Sequence, residues 1–163
     1  MTEPVEIYLG LGSNMGNRLV YLEKAVDLLS QRLRMGSTST IYETDPIGNA
    51  DQPRFLNMVC QGFTRLAPEG LLALAKGIES KLGRTGRTNA PRPIDIDILL
   101  YGAQVVDTPQ LVIPHPRMAE RRFVLVPLAE IAPEITHPVS GRSFRELLED
   151  IKEEQGVFPL ENA

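Results

Sequence analysis

The segment PRPIDIDILLYG, Pro91 to Gly102, puts two carboxylates, Asp95 and Asp97, inside a run otherwise suited to burial. In a strand, side chains alternate faces. Ile94, Ile96 and Ile98 therefore turn one way, and Asp95, Asp97 and Leu99 the other. At about 3.3 Å of rise per residue, the Cβ atoms of the two acids lie roughly 6 to 7 Å apart on one face. Ionised carboxylates that close repel when partly desolvated, unless positive charge lies between them. A divalent cation removes the conflict. Mg2+ takes few carboxylates and keeps waters and substrate phosphates, which suits two aspartates on a strand. Zinc would need nitrogen or sulfur ligands, and neither His115 nor His137 has a histidine or cysteine at ligand spacing. The plain alternative is an exposed strand face with solvated acids. The isoleucines opposite and the arginines nearby weigh against it.

Those arginines supply the complementary charge. Arg84, Arg87 and Arg92 precede the acids, and Arg117, Arg121 and Arg122 follow His115, whose place in IPHPRM is fixed by proline on both sides. A guanidinium fork grips phosphate oxygens bidentately. Singly, each arginine reads as a surface charge; with the acids, the group describes a site for metal-bound polyphosphate. GLGSNMG is not a phosphate loop. Met15 stands where a dinucleotide fingerprint needs its third glycine, and no Gly-Lys-Ser/Thr follows. It reads as a tight turn into a helix, with Asn14 or Asn17 available as the cap. Cys60, in FLNMVCQGF, reads as a small buried hydrophobe.

The elements that must position these residues follow from periodicity. VEIYLGLGSN is a first strand ending at the glycines. Leu19, Leu22, Val26, Leu29 and Leu33 then form one helical stripe, with Gly36 as its stop. STSTIYET and FLNMVCQGFTR are strand-like, separated by a loop, DPIGNADQPR. A second helix starts at Pro68, buries Leu71, Leu72, Ala75, Ile78 and Leu82, and stops at Gly83. The Asp strand completes βαββαβ. The expected fold is α+β: a ferredoxin-like core with helices on one face of an antiparallel sheet, plus C-terminal helices and short strands. Val105 and Val106 suggest a short strand, RFVLVPLAEIA a partly helical stretch, and Ser143 with Glu146 a capping box.

With 163 residues and no long linker, one domain over residues 1–163 is expected. Composition is that of a soluble globular chain, 42% hydrophobic and 23% charged, and no apolar run approaches a membrane span. The start has no export signal, so the cytoplasm is expected. The net charge of −4 argues against a nucleic-acid partner.

PRPIDIDILLYG, VIPHPRMAERRFVLVPLAEIAP, GLGSN and DQPRFLN together resemble, in order and over nearly the whole chain, the 6-hydroxymethyl-7,8-dihydropterin pyrophosphokinases of folate biosynthesis. The most specific parts are the Arg-x-x-Asp-x-Asp strand and the Pro-His segment followed by Arg121 and Phe123. The resemblance implies a ferredoxin-like enzyme that moves the terminal diphosphate of ATP to the pterin hydroxymethyl group and releases AMP. It implies two Mg2+ ions held on the ATP phosphates by Asp95 and Asp97, with Arg92, His115 and Arg121 as further catalytic contacts to those phosphates. Glu79, Arg84 and Arg87 would join the nucleotide site, and Ile98, Leu111 and Val112 the adenine. Phe55 and Phe123 would stack on the pterin, Asn57 would bond its edge, and Thr44, Asp45, Pro46 and Ile47 would complete that pocket. The loop GRTGRTNAPR departs from the pattern, lacking the tryptophan expected near Asn89. ATP and the pterin are the expected partners, and a monomer the expected state.

Two rivals are set beside this reading. Another magnesium-dependent phosphoryl or nucleotidyl transferase on the same fold would also pair acids on a strand. An RNA-binding module of the same βαββαβ order would want exposed aromatics and a basic sheet, whereas the strand here is acidic. The glycine-bearing loops after Gly48 and from Gly83 to Pro91 are candidate lids.

Overall fold

The computed structural model describes residues 3–46, 53–83 and 93–160. In chain order the elements are β1 (Val5–Ser13), α1 (Arg18–Ser30), β2 (Arg34–Thr38), β3 (Tyr42–Thr44), β4 (Phe55–Thr64), α2 (Pro68–Lys81), β5 (Asp95–Tyr101), β6 (Val106–Asp107), β7 (Val112–Ile113), a 3-10 turn (Met118–Glu120), α3 (Arg122–Ile131), α4 (Phe144–Asp150) and β8 (Val157–Pro159). The architecture is mixed α/β around one antiparallel sheet with strand order β5-β1-β4-β3-β8, and β2 also pairs with β4. β6 and β7 form a separate hairpin.

β1 does not end at its glycines. It runs on to Ser13 because β4 and β5 hydrogen-bond along both of its edges, with Gly12 opposite Asn57 on one side and Asp95 on the other. α1 stops at Ser30, short of the Gly36 expected to end it. The reason is pairing: Arg34 and Met35 are already opposite Phe63 and Gly62 of β4, so residues from 34 onward belong to the sheet. Asn17 provides the N-cap, its side chain accepting from the Val20 amide at 3.2 Å. α2 begins with Pro68 in its first turn, and its last residues lead into Gly83 at φ +110°, where glycine is favoured. α4 has the expected capping box, Ser143 Oγ accepting from the Glu146 amide and Glu146 Oε1 from the Ser143 amide.

Helices cover both faces of the sheet, not one. Leu22 and Leu29 of α1 and Leu71 and Ile78 of α2 pack on Ile7, Leu9 and Leu11. On the other face, Leu125 and Leu128 of α3 and Phe144 of α4 pack on Tyr8, Val59 and Leu99. Each such fully buried side chain contributes roughly 1.5 to 3 kcal/mol. Much of the second face is covered by α3 and α4, unlike the open aromatic sheet of an RNA-recognition domain. Cys60 is fully buried, and desolvation pushes its thiol up to about 12, so it serves as an apolar filler.

α3 is anchored to the sheet by one carboxylate. Glu130 accepts from the Thr40 amide and hydroxyl and from the Tyr42 hydroxyl at 2.7 Å, bridging the break between β2 and β3. The chain after α4 is extended, and β8 adds to the sheet edge at β3, with Thr44 opposite Val157. Among the described residues, no helix is long and apolar enough to cross a membrane.

Candidate active site

Antiparallel register gathers the acids and a polar pocket around bare backbone. Gly12 lies between Asn57 and Asp95, and Gly10 between Val59 and Asp97. Residues directly opposite share a face, so Asn57, Val59, Asp95 and Asp97 project to the same side. With no side chains at 10 and 12, that side has a flat floor. A Cβ at Gly12 would come within 2.6 Å of Asn57 Oδ1, so any larger residue must displace the Asn57 amide.

Over this floor opens a cavity of about 330 Å³. Thr44, Phe55 and Asn57 line one end of it, Asp95 and Asp97 the other, and Arg121 and Phe123 come in from the start of α3. Asn57 is buried, and its Nδ2 donates to Thr44 Oγ1 at 2.7 Å, which fixes the orientation of the amide.

Asp97 reaches solvent through the mouth of the cleft while protein crowds it from the sides. That crowding, which removes water, raises its carboxyl above the usual carboxylate range, and the negative charges of Asp95 and Glu79 push the same way. His115 and Lys76 work against the rise. A bound cation would reverse the balance. Among the described residues no group of three or more His, Cys, Asp or Glu converges on a metal position. Asp95 and Asp97 as a donor pair would fit Mg2+ completed by waters and phosphate oxygens, and would not fit zinc.

The sequence matches the 7,8-dihydro-6-hydroxymethylpterin-pyrophosphokinase (HPPK) family over residues 8–133. The chain belongs to the HPPK family. It is 46% identical over 154 residues to a 2-amino-4-hydroxy-6-hydroxymethyldihydropteridine pyrophosphokinase of Bacillus subtilis, covering 92% of each chain. A protein of the same name from Methylorubrum extorquens is 48% identical over 145 residues, covering 86% of this chain and 90% of that one. A crystal structure of Plasmodium falciparum HPPK-DHPS superimposes with a TM-score of 0.78 at 19% identity, over 91% of this chain and 46% of that chain. The latter likeness speaks to the fold alone. The chain spans less than half the length of that solved chain.

The HPPK cleft brings together Thr44, Asp45, Phe55, Asn57, Asp95, Asp97, Arg121 and Phe123 of the residues expected from sequence. Pro46 follows Asp45, half-buried. His115 lies beside the cleft. Its amide donates to the Leu99 carbonyl at 3.1 Å, and its Nδ1 accepts from the Arg117 amide at 3.4 Å.

Other expected residues stand apart from this cavity. Ile98 is buried on the opposite face of the sheet, in the core with α1 and α2, and Leu111 packs against the same cluster. Val112 is exposed on β7. Glu79 is 2% exposed, and its Oε2 accepts from the Ile96 amide at 2.8 Å, along the outer edge of β5. Ile47, Arg84, Arg87 and Arg92 lie outside the described residues, as do the two candidate lids apart from Gly83.

Gly10, Gly12 and Gln155 also line the cleft and were not anticipated. The glycines carried a signal: their spacing of two matches that of the acids. Gln155 carried none, since it arrives from the far end of the chain.

Proposed function

We propose that this chain transfers the terminal diphosphate of ATP to the hydroxymethyl group of 6-hydroxymethyl-7,8-dihydropterin, giving the pterin diphosphate and AMP. The observation that carries the reading is one cavity over one glycine floor, with an aspartate pair at one end and an amide-lined aromatic pocket at the other. The names of the relatives support the same chemistry. The strand order β5-β1-β4-β2 supports a ferredoxin-like core. A single cytoplasmic, monomeric pyrophosphokinase domain over residues 1–163 completes the proposal.

Phe55 and Phe123 offer two aromatic faces for a flat heterocycle, and Asn57, oriented by Thr44, offers its amide to the ring edge. Asp95 and Asp97 hold Mg2+, as two ions on the family's pattern. Mg2+ on the phosphates supplies charge neutralisation where negative charge accumulates during phosphoryl transfer. Arg121 and His115 donate to phosphate oxygens, together with Arg92, Arg84 and Arg87 from the preceding segment. On the resemblance, Glu79 serves the nucleotide side from the outer edge of β5, and Ile98, Leu111 and Val112, which stand apart from the cavity, mark the adenine end. In-line attack by the pterin hydroxyl on the β-phosphorus then depends mainly on positioning and charge. Asp97 is a poor general base while it ligates a cation.

Product analysis tests this. Incubation with Mg2+, ATP and hydroxymethyldihydropterin should give AMP and pterin diphosphate in equal amounts. ADP or free pyrophosphate as the nucleotide-derived product would point instead to another phosphoryl or nucleotidyl transferase.

A further inference from the structure

Residues 151–160 tie together two walls of the cleft. On one side the Asp45 amide donates to the Gly156 carbonyl at 3.0 Å, and the Gln155 side-chain amide donates to the Asp45 carbonyl. On the other side Glu153 meets the start of α3. Its Oε1 accepts from the Arg122 amide at 2.9 Å, and its Oε2 accepts from Arg121 Nη1 at 3.1 Å. Arg122 Nε closes the loop by donating to the Gln155 carbonyl at 3.0 Å.

The N-cap residue of α3 is Arg121, whose side chain makes no capping bond. Glu153 does that work from a distance, placing negative charge at a helix start, where it is favoured. With its second oxygen it holds the guanidinium that lines the cavity. The pair is partly shielded, with side-chain exposures of 22% and 21%. A guanidinium has five N–H donors, so the bond to Glu153 leaves others for a ligand. A long side chain already held loses less freedom when substrate arrives.

We propose that Glu153 is a positioning residue for the reaction: its carboxylate holds the Arg121 guanidinium at the cleft wall, so that its remaining donors meet the phosphates already ordered. This rests on Arg121 as a phosphate contact, as read above. As an anion, Glu153 also opposes phosphate binding, which offsets the affinity gained by holding Arg121 in advance, so its net contribution falls on turnover.

Glu153→Gln separates its two tasks, because the amide keeps an oxygen for the Arg122 N–H while losing the charge that holds Arg121. Expected is a fall in kcat of about tenfold, with unchanged or tighter binding of a non-hydrolysable ATP analogue and a nearly unchanged Tm. In an Arg121→Ala background, Glu153→Gln should cause no further loss. Wild-type kcat in Glu153→Gln, with Arg121→Ala slow, overturns the inference alone, as does a loss that multiplies fully with that of Arg121→Ala. Wild-type kcat in Arg121→Ala overturns the phosphate-contact reading and the inference with it. If Glu153→Gln fails to unfold cooperatively, Glu153→Asp enters the same cycle. There a smaller loss that vanishes without Arg121 supports the inference, and a loss that persists without Arg121 overturns it.

Discussion

Asp97 is the residue at which structure and chemistry are most tightly linked. With no cation bound, the folded chain holds its proton more strongly than the unfolded chain does, because the protein crowding it removes water and the neighbouring acids disfavour the charge. Folded protein therefore binds more protons in the window above the ordinary carboxylate range, and stability falls as pH rises through it. Asp97→Asn removes this dependence. In metal-free buffer, its Tm should gain on the wild type with rising pH, while turnover falls at least about a hundredfold through loss of charge at the phosphates. Parallel Tm-against-pH curves would refute the first expectation, and retained kcat the second. Gly12→Ala makes a different demand: the added Cβ meets Asn57 Oδ1 at 2.6 Å, so the amide must move off Thr44. Losing that one aligned hydrogen bond costs about 1 kcal/mol, and pterin affinity by calorimetry should fall several-fold, with ATP-analogue affinity unchanged. The acids were legible in the sequence because a period of two within an isoleucine run has few explanations. The glycines were misread as a turn, because strand pairing on both edges, which keeps them extended, is not a local property.

Elements were legible where one face carries a stripe. α2 was readable from Pro68 to Gly83, and the capping box of α4 from two residues, because these signals are local. The end of α1 was not, since a partner more than twenty residues away recruits Arg34 and Met35 into the sheet. β5 forms one end of the sheet, and Glu79 of α2 accepts the Ile96 amide that would otherwise be buried without this bond. Glu79→Ala should cost about 1 to 3 kcal/mol, seen as a lower denaturation midpoint, since a buried amide loses its acceptor. An unchanged midpoint would show that the edge of β5 does not depend on this carboxylate.

At the scale of the molecule, the sequence implied helices on one face, and α3 and α4 cover the other. The reason lies in α3, whose apolar residues look merely half-helical in sequence yet find Tyr8, Val59 and Leu99 waiting on the reverse of the sheet. β8 was invisible for a similar reason: three residues take strand form only because β3 offers an edge. The finished cleft thus has two unequal sides. Its base belongs to β1, locked along both margins, whereas the facing wall is made of side chains from the first turn of α3 and an extended tail on the sheet border. Compliance must be divided accordingly. The base acts as a fixed ruler for the phosphates, and among the described residues the breathing that admits or frees a ligand falls to the tail and the helix tip. Hydrogen exchange would read this directly, with slow amides at Leu9 and Leu11 and faster ones from Glu153 to Val157.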